Sequence, residues 1–81
     1  MRALTPPERR YLLDMARGLT AYEVAERNHV SVNTVRSAMK KAKPALHARS
    51  IGHAIALAMA LGEFTAADVK DTTDLEGKYR V

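Results

Sequence analysis

The sequence predicts an all-α chain, and three observations carry that prediction. Hydroxyl residues stand at helix-start positions: Thr5 with Glu8 three residues on, Thr20 with Glu23 three residues on, and then Ser31 and Ser50. A Ser or Thr there accepts from a free backbone amide, and the Glu answers back to the cap, which is the capping box. Apolar residues then recur at steps of three and four, as they do along a helix with one buried stripe. Glycines at positions 18 and 62 fall where a helix would stop. The chain is 47% hydrophobic. Many of those residues are alanine, which suits close-packed helices.

Each element can be justified in order. Residues 1–5 form a short lead. The first helix is expected over residues 6–17, where Thr5 caps, a proline is favoured in the first turn and Glu8 completes the box. Tyr11, Leu12, Met15 and Leu4 would face the core, and Gly18 ends the helix. In the second helix Ala21, Val24 and Ala25 form the buried stripe. The turn that follows is Asn28-His29-Val30, and Asn and His tolerate a left-handed backbone better than most residues with a β-carbon. Ser31 caps a third helix over about residues 32–43, with Val32, Val35, Met39 and Ala42 on its inner face. Its other face carries Asn33, Arg36, Ser37, Lys40, Lys41 and Lys43. Pro44 lacks a backbone donor and clashes with the carbonyl of Lys40, so the helix is expected to end or kink near residues 41–43.

Residues 44–49 read as a connector anchored by Leu46. Ser50 caps a fourth helix over residues 51–61, ended by Gly62. Ala54, Ile55, Ala58 and Leu61 form one stripe, bordered by Ile51. Leu57 and Met59 fall outside it, so the helix is apolar over more than one face, and in so small a chain a second copy would cover the second face. Thr65-Ala66-Ala67-Asp68 is set to start a short fifth turn. The polar run from Asp71 is expected to fray. The domain is thus expected over residues 1–62, followed by an acidic, partly disordered tail over residues 63–81.

Charge is more informative by position than in total. The 81 residues carry a net charge of +4. Residues 1–55 hold ten Lys/Arg and four Asp/Glu, a net of +6, whereas residues 56–81 hold three and five, a net of −2. No Asp or Glu occurs between Arg27 and Gly62. A capped helix with an apolar inner face and a basic, hydrogen-bonding outer face suits the DNA major groove. The chain has no cysteine, which excludes disulfides and thiolate metal sites. His29, His47 and His53 lack metal-ligand spacing, and no cofactor is expected. There is no glycine-rich phosphate loop and no nucleophile beside a base, so an enzyme is not expected. Glu8, Glu23 and Glu26 are accounted for by helix starts and by ion pairs with Arg27 or Arg49. Met15, Met39 and Met59 serve as core filler. No apolar run is long enough to span a membrane and no secretory pattern opens the chain, so a cytoplasmic setting is expected. The Ala- and Arg-rich usage is in keeping with a bacterial or phage-encoded chain.

Four stretches taken together, Leu4-Thr5-Pro6-Pro7-Glu8-Arg9, Ala16-Arg17-Gly18-Leu19-Thr20, Glu23-Val24-Ala25-Glu26-Arg27 and Val30-Ser31-Val32-Asn33-Thr34-Val35-Arg36-Ser37, resemble the DNA-binding domain of LuxR/FixJ/GerE-type transcription regulators. The likeness runs without gaps over residues 4–61, about three quarters of the chain. It implies a four-helix helix-turn-helix fold, a homodimer formed through the fourth helix, and a third helix that enters the major groove. Family hallmarks correspond to Glu8, Leu12 and Gly18. The chain begins just before the motif, as in the stand-alone GerE type. Three positions depart from the family pattern: Asn28 replaces a buried leucine, Tyr22 replaces Lys or Arg, and Pro44 interrupts the third helix.

On this likeness Arg36, Ser37 and Lys40 are the candidates for base edges, since Arg and Lys can donate to guanine O6 and N7. Thr20, Tyr22, Ser31, Asn33, Thr34, Lys41 and Lys43 are the candidates for phosphates, helped by amides at the helix starts. Ile51, His53, Ala54, Leu57, Ala58 and Leu61 are the candidates for the dimer interface. Two other readings compete. One is a region like the fourth region of a sigma factor, docked on RNA polymerase. The other is a protein-interaction module acting through the fourth helix and the acidic tail.

Overall fold

The start of every α-helix follows from a side-chain oxygen placed to take up a free amide. Thr5, Thr20 and Thr65 each form a reciprocal capping box, with Glu8, Glu23 and Asp68 respectively. Ser31 and Ser50 cap alone. The computed structural model describes residues 2–75. Among these residues all regular structure is helical: α1 (Pro6–Ala16), α2 (Ala21–Arg27), α3 (Val32–Ala45), α4 (Ile51–Ala60), α5 (Ala66–Lys70) and a 3-10 turn at Thr73–Leu75. None of these helices is long and apolar enough to cross a membrane.

The first four helices end in one way. The amide two residues past each cap reaches back to the carbonyl five residues earlier: Leu19 to Asp14, Val30 to Ala25, Ala48 to Lys43 and Glu63 to Ala58, at 2.8–3.2 Å. This is the Schellman closure, which needs a left-handed residue just past the cap. Gly18 and Gly62 supply it at φ 100° and 79°, and His29 and His47 supply it at φ 56° and 57°. His29 answers the expectation for the turn. His47 has the same role at the end of α3, where no turn residue was expected.

α1 lies at the centre and packs against α2, α3, α4 and α5, while α3 rests on α1, α2 and α4. Leu12, Val24, Val35, Leu46 and Leu75 are fully buried, with Tyr11, Leu19, Met39, Ala42 and Phe64 around them. Met15 is only half-buried at the edge of this core. The N-terminal lead is stitched across the molecule: the Arg2 amide donates to Ala45 O at 3.2 Å and the Leu4 amide to Glu63 Oε2 at 2.8 Å. The Arg2 guanidinium donates twice to the buried Glu8, at 2.8 and 2.9 Å.

Three expectations need correction. α3 does not end near residues 41–43; it runs through Pro44 to Ala45. Pro44 lies in the last turn on the exposed side, where water can replace the lost donor, and the buried Ala42, Ala45 and Leu46 seat the turn on the core. The domain does not stop at residue 62, because Phe64 and Leu75 belong to the core. Residues 71–75 are not frayed either. Leu75 is wholly buried, and Asp74 binds the guanidinium groups of Arg17 and Arg27. The part of the expected disordered tail from residue 76 onward lies outside the described residues. Arg27 pairs with Asp14 and Asp74, and Glu8 pairs with Arg2.

Two measurements follow. Leu75→Ala should cost about 2–5 kcal/mol, as a fully buried leucine does, and shift the denaturation midpoint as far as Leu12→Ala. A shift within error of zero would show that residues 71–75 are not part of the cooperative unit. The second concerns pH. Hydrogen bonds from Arg2 hold the Glu8 carboxyl at about 2, below its ordinary 4.5, with the Thr5 amide adding to the effect. The folded-state value is depressed, so this stabilisation is complete above the ordinary value and is lost as pH falls from about 4.5 through about 2. Glu8→Gln should flatten that part of the stability–pH curve, at a cost near neutrality of about 1–3 kcal/mol.

Candidate nucleic-acid interface

α3 is held by its inner face. Val35, Met39, Ala42 and Ala45 are buried, and Val32 and Ala38 are half-buried against the core. The opposite face is therefore presented to solvent: Asn33, Thr34, Arg36, Ser37, Lys40 and Lys41 are exposed, and Lys43 is half-exposed. These residues split into two adjoining strips. Arg36, Lys40 and Lys43 border a cleft with an apolar floor of Met15, Ala21, Met39 and Ile51. Asn33, Thr34, Ser37 and Lys41 border a second cleft, shared with Arg2, Thr5 and Glu8 at the start of α1. Two of the three base-edge candidates, Arg36 and Lys40, thus share a strip, and Ser37 lies on the other.

Four of the seven candidates for phosphates, Thr20, Tyr22, Ser31 and Thr34, are engaged within the chain. Thr20 Oγ1 accepts from the Glu23 amide at 3.2 Å. Ser31 Oγ accepts from the Thr34 amide at 3.1 Å and lies 2.9 Å from Thr34 Oγ1. Tyr22 stands apart, 64% exposed in the first turn of α2. Its hydroxyl accepts from Arg36 Nη2 at 3.1 Å, and its ring centroid lies 5.1 Å from the Arg36 guanidinium carbon. The sequence reading missed this pairing, since fourteen positions separate the two residues and no local period links them.

The turn between α2 and α3 shows how Asn28 is accommodated. Asn28 is half-buried, and its amide donates to Val24 O at 2.7 Å and to Asp14 Oδ2 at 3.3 Å. A polar side chain fills the place because a buried carboxylate lies beneath it.

The expected dimer residues divide. Ala54 and Ala58 are 0% exposed, sealed in the chain's own core, so they offer no surface to a second copy. Ile51 and Leu57 are half-buried, and Ile51 belongs to the basic cleft beside α3. His53 is exposed, with Nδ1 accepting from the Arg49 amide at 3.0 Å. Leu61 is 52% exposed as the cap of α4. Ala56 and Ala60, which the sequence reading did not single out, join His53, Leu57 and Leu61 on one outward stripe at steps of three and four.

Comparison of the chain with models of known families, with curated proteins and with solved structures gives no match.

Ser31 offers a direct check on how α3 is fixed. Ser31→Ala should cost about 1 kcal/mol in chemical denaturation, the usual worth of a helix cap. No change would mean that Thr34 or water replaces the lost acceptor.

Proposed function

We propose that the chain binds double-stranded DNA sequence-specifically and regulates transcription, with α3 in the major groove. The observation that carries this is the outer face of α3: exposed, basic, rich in hydrogen-bond donors, without an acidic residue on the helix, and held on a packed inner face. A helix presented this way can enter a groove wide enough to admit it. Arg36 and Lys40 read base edges, with Ser37 beside them. Lys41, Lys43, Asn33 and Thr34 face the phosphates, as do the capped starts of α2 and α3 at Thr20 and Ser31. The reading includes membership of the LuxR/FixJ/GerE type, supported by the ordered motifs and by helices at the expected places. It also includes a cytoplasmic, bacterial or phage setting and a homodimer joined through the outward stripe of α4. Such a dimer would take an inverted repeat with half-sites about one helical turn apart.

The exposed stripe of α4 favours a second reading, in which the chain is an interaction module docking on RNA polymerase or another regulator. Substitution separates the two. Arg36→Ala with Lys40→Ala abolishes activity under the DNA reading and leaves it intact under the other. Leu61→Asp with Ala56→Asp abolishes it under the other, and under the DNA reading removes only the dimer, so that binding to a single half-site survives.

The test is selection of bound duplexes from a random library, with non-specific competitor at near-physiological salt. An enriched inverted repeat is expected. Arg36→Ala should then cost about 1–3 kcal/mol and relax preference at one base pair. Lys41→Ala should weaken all duplexes alike and lower the salt slope by about one. A single half-site would remove the two-fold dimer. Absence of enrichment, with binding that vanishes as salt rises, would remove the sequence-specific reading.

A further inference from the structure

Tyr22 and Arg36 are bound to each other across the α2–α3 junction, and burial does not account for it. Tyr22 is 64% exposed, so no core packing demands a ring there. The ring nevertheless has the Arg36 guanidinium over its face, with the centroid 5.1 Å away, and its hydroxyl accepts from Arg36 Nη2 at 3.1 Å. The two residues stand on different supports. Tyr22 lies within the Thr20–Glu23 capping box, and Val24 and Ala25 lock α2 to the core. Arg36 projects from the outer face of α3. Lys40, one turn further along α3, is exposed and has no aromatic neighbour of this kind among the described residues.

An exposed arginine samples many rotamers, and binding must quench that freedom. A cation–π contact with a hydrogen bond removes part of the freedom in advance, which is how preorganisation raises affinity. The guanidinium has five donors and spends one on the tyrosine, so a bidentate pair remains for guanine O6 and N7. The tyrosine oxygen accepts from Arg36 and keeps its own hydrogen, which can be donated to a phosphate oxygen. One residue then touches the backbone and holds the side chain that reads the base.

We propose that Tyr22 is a positioning residue for Arg36, and that it sets how sharply the protein discriminates the guanine that Arg36 reads. The proposal rests on the DNA reading above. It also accounts for the tyrosine: a lysine or arginine at position 22 would bring a second positive charge to the place where the Arg36 guanidinium lies.

The test has one arm without DNA. In the free protein, NMR should show the Arg36 δ-protons shifted upfield by the Tyr22 ring current, in wild type and in Tyr22→Phe but not in Tyr22→Ala. Random-coil shifts in wild type would overturn the proposal even if DNA is bound specifically. The other arm uses the selected duplex and its variant at the base pair where Arg36→Ala loses preference. Tyr22→Ala should cut discrimination between the two about five-fold, and Tyr22→Phe about two-fold. Preference at the base read by Lys40 should stay unchanged. An equal loss on both duplexes would overturn the proposal and leave Tyr22 a backbone contact only. In an Arg36→Ala background, Tyr22→Ala should not change discrimination further; a further fall would also overturn it. A selection that enriches no duplex would remove the DNA reading and this proposal together, whatever the ring current shows.

Discussion

Asp14 is the charge around which the helices are arranged. The residue is 3% exposed, and a carboxylate taken out of water is costly unless charged or hydrogen-bonding partners surround it. The partners come from several places. Arg17 approaches Oδ1 at 3.7 Å from the end of α1, and Arg27 approaches Oδ2 at 3.3 Å from the end of α2. Asn28 donates to the same Oδ2 from the turn beyond α2. An apolar residue at position 14 would tolerate a range of helix angles. A carboxylate requires the end of α2 to arrive where its donors can reach, and so selects one placement of α2 on α1. The two arginines are then available to Asp74, which draws residues 71–75 across both helices and seats Leu75 in the core.

The placement of α2 decides the placement of α3. Only four residues separate them, and His29 takes the left-handed conformation that turns the chain sharply there. The Val30 amide closes back on Ala25 at 3.0 Å, so the turn belongs to the end of α2 rather than hanging free. Val35, Met39, Ala42 and Ala45 then fix the rotation of α3 about its own axis, which settles which residues face outward. The lead strengthens the far end of α3, where the Arg2 amide takes up the carbonyl of Ala45. The orientation of the outer face of α3 is thus a consequence of contacts made on the opposite side of the helix.

How much of this was legible in the sequence depended on the range of the interaction. Caps, glycine stops and the His29 turn involve neighbours three to five residues apart, and Thr5, Thr20, Ser31, Ser50 and Thr65 all declared themselves. The inner and outer faces of α3 were legible for the same reason. Asp14 was not, because its partners depend on how two helices meet, and an aspartate near a helix end looks like an ordinary surface residue. Asp74 and Leu75 were hidden by distance: 57 residues separate Asp74 from Arg17, and the local run is polar and aperiodic. Pro44 misled because the penalty for a proline was set against the intrinsic helix alone, without the buried Ala42, Ala45 and Leu46 that hold the last turn. Periodicity identified α4 as apolar on several sides. It did not say which side the chain itself would use, and Ala54 and Ala58 proved to be the inner one.

The division of labour among the cations bears most directly on what the chain can bind. A net charge of +4 is too common in small domains to single out a partner. The ion pairs that hold the helices together use Arg2, Arg17 and Arg27, each facing a carboxylate within the fold. An arginine so paired attracts little else, since its field is already answered nearby. Lys40 and Lys41 remain on the surface of α3, where their field reaches into solvent and gathers counterions. Arg36 belongs to the same face and meets the neutral ring and hydroxyl of Tyr22, a contact that orders the guanidinium without neutralising it. A partner that released the gathered counterions would gain from the exchange, and would gain most if its own charges were spaced regularly along the helix face. What favours a polyanion here is therefore that Glu8, Asp14 and Asp74 answer Arg2, Arg17 and Arg27 elsewhere in the fold, while Lys40 and Lys41 stay exposed on α3.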